Sequence, residues 1–231
     1  MQTFRRVLQR LLSGLLPLLV LGPALAQAPQ EGTTFRTINP PQPTSSPGKI
    51  EIIEFFSYAC PHCAHFYPML EAWIAKQPKD VVLHKVPVGF NRDLWINMQR
   101  AYYALQASGD LDKLDGKLFH AIHEERLPLF DDQSLTDWVG KNDGHAAEFA
   151  RAYTSLGVNT QTVQADTLAE RYAVEGVPTL AVNGEYVALS TAKDEQQALT
   201  ETLANADQLI ARVRAERPAK PAARKTASTA R

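Results

Sequence analysis

Two cysteines, Cys60 and Cys63, are all that the 231 residues contain. No network of disulfides can staple this fold, and the two must work as one pair. No histidine follows the second cysteine; Ala64 stands there, which excludes the usual c-type haem attachment. Four zinc ligands are also hard to find, since a tetrahedral site would have to recruit residues such as His62 and His65. His120, His123 and Glu124 could be drawn as another metal group, but on a polar helix face such residues are more often solvated. No internal repeat is present. Nor is there an uninterrupted apolar run of the about 20 residues that a spanning helix needs, because the run from Leu11 to Leu21 is broken by Gly14 and Pro17.

What is present begins with a leader pattern. Arg5, Arg6 and Arg10 precede the apolar run and Ala24-Leu25-Ala26 follows it, which predicts a signal peptide over residues 1–26. Cleavage is expected after Ala26, with Ala28 as the alternative. An uncleaved anchor is the weaker reading, as is twin-arginine export through Arg5-Arg6. Loss of the leader removes three arginines and no acid, taking the formal charge from −1 to −4. From Arg212 onward seven basic residues face only Glu216, so the remaining body stands at −10. With Pro218 and Pro221 among alanines, serine and threonines, residues 216–231 predict a basic disordered tail. It is a solvated extension or a weak contact for anionic lipid or an acidic protein.

With 45% apolar and 21% charged residues the chain between these ends suits a globular unit with a real core. Five prolines make 27–48 an irregular lead-in with at most a short edge strand near Phe35 to Ile38. Ile50 to Phe56 is β-branched, aromatic and nearly all apolar, as in a strand covered on both faces. Pro61 suits a first helical position, and Phe66, Leu70, Trp73 and Ile74 recur at helical spacing. Val81 to Val88 is a second strand, completing a βαβ unit. Helical patterns then run from Leu94 to Gln106, Leu111 to Glu125, Leu135 to Gly140, Ala146 to Leu156 and Thr160 to Tyr172, with no strand signal between them. Asn183-Gly184 between two β-rich runs predicts a hairpin, and a last amphipathic helix covers Asp194 to Arg214. The fold class is α/β, a sheet domain interrupted by a helical insertion.

A Cys-X-X-Cys pair beside a βαβ unit in an exported chain points to redox chemistry. Cys60 sits where strand yields to helix, so free N–H groups and the helix dipole favour its thiolate. Cys63, one turn further, is the buried partner. His62 can donate to the Cys60 sulfur or place positive charge beside it, which favours thiolate over disulfide and makes the pair oxidising. The reduced form is then expected to be the more stable at pH 7. Its bland alternative is a surface histidine in a turn. Glu54, a carboxylate within Ile-Ile-Glu-Phe-Phe, should have its pKa raised by burial and could pass a proton to or from Cys63. Lys85 is its natural charge partner, and a purely structural Glu54 and Lys85 pair is the alternative. Pro178, after Gly176-Val177, is suited to a cis bond that would expose the Val177 backbone to an extended substrate.

Phe55 through Cys63, with Gly176-Val177-Pro178 and Val182-Asn183-Gly184, closely resembles the bacterial DsbA family of periplasmic disulfide oxidases, over residues from about Thr33 to Arg214. Valine before the late proline separates it from DsbC-type isomerases, which typically carry threonine there and add a dimerisation domain. The resemblance implies a thioredoxin-like fold with an inserted all-helical domain, the former over 49–91 and 159–215 and the latter over 92–158. It implies Cys60 as exposed nucleophile, Cys63 as buried partner, Glu54 with Lys85 as buried charge pair, and Val177 with cis Pro178 as substrate contact, with Pro61 and Lys85 as structural support. The reaction implied is transfer of the Cys60–Cys63 disulfide to reduced exported proteins in the periplasm, with re-oxidation by a DsbB-type membrane oxidase. No prosthetic group, metal or nucleic acid is expected, and the chain is expected to be a monomer. A reductase or isomerase of the same fold, or a peptide-binding chaperone, are the competing functions. Two departures stand out: Pro87, where the second strand should donate a hydrogen bond, and the basic tail.

Overall fold

The computed structural model describes residues 28–217. The expected signal peptide, and all but the first two residues of the expected tail, lie outside them. Five strands, β1 (Phe35–Thr37), β2 (Ile50–Phe56), β3 (Val81–Pro87), β4 (Thr179–Val182) and β5 (Tyr186–Ala188), form one sheet in the order β1-β5-β4-β2-β3. β2 and β3 are parallel; the other pairs are antiparallel. A helix α1 (Pro61–Ile74) makes the crossover between β2 and β3. Five helices fill the chain between β3 and β4: α2 (Asp93–Ser108), α3 (Leu111–His123), α4 (Asp132–Lys141), α5 (Ala146–Tyr153) and α6 (Leu156–Arg171). The last, α7 (Glu195–Glu216), follows the hairpin.

β2 is the spine, with all seven residues buried. Burial of Ile50, Ile52, Ile53, Phe55 and Phe56 contributes about 1.5–3 kcal/mol each, a margin that lets the same strand carry Glu51 and Glu54. Strand alternation sends Ile53 and Phe55 to a cluster with Ala165, Ala169 and Tyr172 of the α6 region. Ile50 and Ile52 face the opposite side, among Phe66, Leu70, Leu203 and Leu209 of α1 and α7. Phe56, at the strand's end, belongs instead to the cluster of the α2–α5 layer, with Tyr58, Tyr102, Leu118 and Phe119. Glu54 therefore sits on the face where two apolar clusters meet.

Pro87 is explained by its place. β3 is the sheet's edge, where a residue's N–H can face away from the ladder. The ladder continues past it, since Val88 N–H donates to the Phe56 carbonyl at 2.9 Å and the Pro87 carbonyl accepts from Gln99 Nε2 at 2.9 Å. The hairpin turns at Asn183 and Gly184, both at positive φ (54° and 70°), as a type I′ turn requires.

Two expectations need correction, and one further feature was not anticipated. The helix expected to begin at Thr160 begins at Leu156, because the Ser155 hydroxyl accepts from Val158 N–H at 3.2 Å and caps it. The expected division between residues 158 and 159 thus falls inside one helix. At the other end Glu216 completes α7 and Arg217 is docked on the body, donating to the Lys49 carbonyl, to the Gly48 carbonyl at 3.3 Å and to Asn183 Oδ1 at 3.3 Å. Those two residues belong to the folded unit rather than to a disordered tail. Finally, Asn39–Pro40 is cis as well as Val177–Pro178, and only the second was expected. Among the described residues no helix is long and apolar enough to cross a membrane.

Candidate active site

Cys60 is the N-cap of α1, in extended conformation (φ −93°, ψ 118°), with Pro61 at the first helical position. Pro61 has no N–H to leave unsatisfied, so the first free donors of the helix are the N–H groups of His62 and Cys63. Both lie beside the Cys60 side chain, although neither closes a cap hydrogen bond to its sulfur. The Cys60 pKa falls from 9.0 to about 6, chiefly through the hydrogen bond from the Cys63 thiol, then through those two backbone N–H groups and the charge of His62, all against partial burial. Cys63 is pushed the opposite way, well above 9.0, by burial, by its own thiol donating to Cys60, and by the nearby charges of Cys60 and Glu54. Adjacent thiols with divergent pKa values make one a thiolate and the other a proton holder.

Cys60 was expected to be exposed, yet 4% of its surface is open against 0% for Cys63. The Val177 carbonyl covers it, 3.6 Å from the sulfur. The thiol donates there, so in this dithiol form the Val177 carbonyl is already engaged. Ionising Cys60 removes the donor and turns the contact repulsive. A groove of about 570 Å³ runs along the same segment, lined by Gly176, Val177, Pro178, Thr179, Leu189 and Leu199 among others.

His62 does not reach the sulfur with its ring. Its Nδ1 donates to Glu195 Oε1 at 2.8 Å, and His65 Nδ1 lies at the same distance from the same oxygen. That bond, ahead of the charges of Glu195 and Cys60, raises the His62 pKa. His62 therefore acts by charge and by its backbone N–H. Glu195, in the first turn of α7, was not anticipated, since 130 residues separate it from His65. His123, expected in solvent, instead donates through Nε2 to the Tyr58 carbonyl at 2.7 Å and stacks on Phe119, pinning the turn that delivers Cys60. His120 meets Glu125 at 3.0 Å. Among the described residues no three metal-binding side chains are grouped to hold an ion.

Glu54 and Lys85 are partners in register, but their charged atoms stand 3.8 Å apart. Lys85 Nζ donates instead to Asp115 Oδ2 at 2.6 Å, while Asp115 Oδ1 accepts from the Tyr58 hydroxyl. Burial raises the Glu54 pKa to about 7, with Lys85 opposing and Asp115 and Glu71 adding to the rise. Asp115 went unnoticed, although a signal existed. It lies on the α3 stripe of Leu111, Leu114, Leu118, Phe119 and Ile122, where a carboxylate is out of place.

A thioredoxin-like sheet, a Cys-Pro-His-Cys pair at the head of its first helix and a cis proline against the first sulfur define a thiol-disulfide oxidoreductase. The comparisons with known proteins narrow the class. A family model described as a DSBA-like thioredoxin domain matches residues 51–204. The thiol:disulfide interchange protein DsbA of Bordetella parapertussis is 43% identical over 164 residues, covering 71% of this chain and 78% of its own. That of Burkholderia cepacia is 39% identical over 184 residues, covering 78% and 86%. Crystal structures of DsbA from Xylella fastidiosa (TM-score 0.75, 31% identity, 82% of this chain and 100% of that one) and Pseudomonas aeruginosa (0.73, 33%, 80% and 94%) share the fold. This chain belongs to the DSBA-like thioredoxin family.

Proposed function

We propose that this protein is the oxidising member of a periplasmic disulfide pathway, donating the Cys60–Cys63 disulfide to reduced exported proteins. The observation that carries this is the asymmetry of the two sulfurs. Cys60 caps the N-terminus of α1, whose backbone N–H groups lower its pKa, and Cys63 is sealed in the core, so reduction gains a stabilised thiolate that the disulfide lacks.

In the forward reaction a substrate thiolate attacks Cys60 Sγ, the Cys60–Cys63 bond breaks, and a mixed disulfide forms. Cys63 departs as a buried thiolate and takes a proton from the Glu54 carboxyl. A second substrate thiolate then attacks the substrate sulfur and releases Cys60 as thiolate, with His62 and the α1 N-terminus holding its charge. Val177 and Pro178 bind the substrate as an extended segment along the groove beside them. The reverse proton transfer, from Cys63 to Glu54, serves re-oxidation by a membrane oxidase of the DsbB type. The chain works as a monomer, with no prosthetic group beyond the redox-active cysteines. The leader pattern at residues 1–26 supports export.

The deciding measurement is the reduction potential of the Cys60–Cys63 couple against glutathione at pH 7. A potential well above the glutathione couple is expected. One below it would make the protein a reductase.

A further inference from the structure

Glu54 has one partner too few. Its Oε2 is buried without a hydrogen bond, although an ammonium stands 3.8 Å away. Lys85 is wedged against Tyr67 and Phe56, 4.4 and 5.1 Å from their ring centres, and from there bonds Asp115 at 2.6 Å. Asp115, 7% exposed, comes from α3 and is clamped on its other oxygen by Tyr58 of the active-site turn. A lone buried carboxyl beside a lysine would ordinarily capture it, because an unpaired buried polar atom costs about 1–3 kcal/mol. Here a second carboxylate takes the ammonium first.

We propose that Asp115 is a positioning residue for the exchange reaction: by holding Lys85 on its own carboxylate it leaves the Glu54 carboxyl unpaired, and so free to carry the Cys63 proton in either direction. The inference rests on the reading of Glu54 as proton carrier given above. Were Lys85 bonded to Glu54, it would hold that group as a carboxylate, able to accept a proton but poor at keeping one for the departing Cys63 sulfur. With Lys85 turned away, Glu54 gives its proton to Cys63 as the disulfide breaks and must recover one from outside. The way out is at hand. A cleft of about 510 Å³ reaches Lys85 and Asp115 between Tyr67, Glu71, Tyr102 and Asp112. The titratable groups acting on or around Glu54 are Cys63, Tyr67 and Glu71 of α1, Lys85 of β3, Tyr102 of α2 and Asp115 of α3. Of these only Lys85 can donate an ionic hydrogen bond to it.

The test follows the Glu54 side chain by ¹³C carboxyl NMR across pH, beside the pH profile of mixed-disulfide formation with a dithiol peptide. In the wild type the Glu54 midpoint is expected at about 7. Asp115→Asn keeps the shape and removes the competing charge. It should lower the midpoint by about one pH unit or more and move the rate profile with it, while Asp115→Glu keeps the wild-type midpoint. In a Glu54→Gln background the same change should leave the profile where it is. An unmoved Glu54 midpoint in Asp115→Asn, or an equal profile shift without Glu54, overturns the proposal. Should Asp115→Asn fail to fold, the wild type decides: the carboxyl that takes up a proton near pH 7 must be that of Glu54, and Asp115 doing so overturns it. Glu54→Gln with a wild-type profile would sink the proton-carrier reading itself. An effective Glu54→Gln beside a silent Asp115→Asn sinks only this inference.

Discussion

At the scale of single residues, the two sulfurs differ by what reaches them. Cys60 meets donors from the helix start and Cys63 meets apolar core, so only the first is expected to attack or be attacked. Cys63→Ala should therefore accumulate mixed disulfides on Cys60 with reduced substrates, read by mass spectrometry. Adducts forming instead through Cys63 in Cys60→Ala would reverse the roles. Glu195 offers a second check, because it holds the His62 imidazolium near Cys60. Glu195→Gln lowers the His62 pKa, leaves less positive charge beside the sulfur at pH 7, and raises the Cys60 midpoint above about 6. Exposed charge pairs are weak, so the rise should stay below about 0.7 of a pH unit. Thiolate absorbance at pH 4 to 9 measures it, and a fall in the midpoint would contradict this account of His62.

At the scale of elements, the site depends on segments far apart in sequence arriving together. α1 presents the cysteines, the segment before β4 covers the nucleophile, α3 supplies Asp115 and His123, and α7 supplies Glu195. The β4–β5 hairpin holds one of these in place. Gly184 sits at φ +70°, and a Cβ there would lie 2.0 Å from the Gln42 carbonyl oxygen. That neighbour is backbone and cannot rotate aside. Gly184→Ala should cost at least about 1–3 kcal/mol, seen as a lower urea midpoint, with the Cys60 midpoint unchanged once folded. Retained stability would mean that the lead-in moves away at little cost.

For the whole molecule, folding and redox state are linked through the Cys60 proton. Its folded pKa is depressed from 9.0 to about 6, so the stability it brings to the reduced form is complete above pH 9 and lost as pH falls through 6. At pH 7, one unit above the folded midpoint, it amounts to about 1.4 kcal/mol. Against it, a disulfide with only two residues between its cysteines restricts the unfolded chain little, so the opposing entropic gain is small. The reduced form should therefore be the more stable at pH 7, by a gap that widens as pH rises toward 9 and closes as pH falls through 6. Glu54 runs the other way: raised to about 7, its term is present at acid pH and lost as pH rises through 7. Parallel guanidinium unfolding of both forms from pH 5 to 9 measures the gap, and a gap independent of pH would remove the thiolate from the account. Removal of residues 218–231 should leave oxidation of a soluble dithiol peptide unchanged. The cut belongs after Arg217, whose bonds to the Gly48 and Lys49 carbonyls an earlier one would lose.

Local information sufficed for much of this. The strand Ile50–Phe56, the helix opening at Pro61, the Asn183-Gly184 turn and the cysteine pair are specified by neighbours within a few residues, where apolar period, proline geometry and glycine freedom act. The same residues were enough for the family resemblance and for Glu54 as a misplaced carboxylate. Tertiary structure alone decided which charges meet. Lys85 could have belonged to Glu54 by register and belongs to Asp115 by distance; His62 could have reached the sulfur and reaches Glu195; His123 left solvent for the Tyr58 carbonyl. An ion pair or a buried hydrogen bond depends on separations of a few ångströms between segments tens of residues apart, and only the packed core sets those.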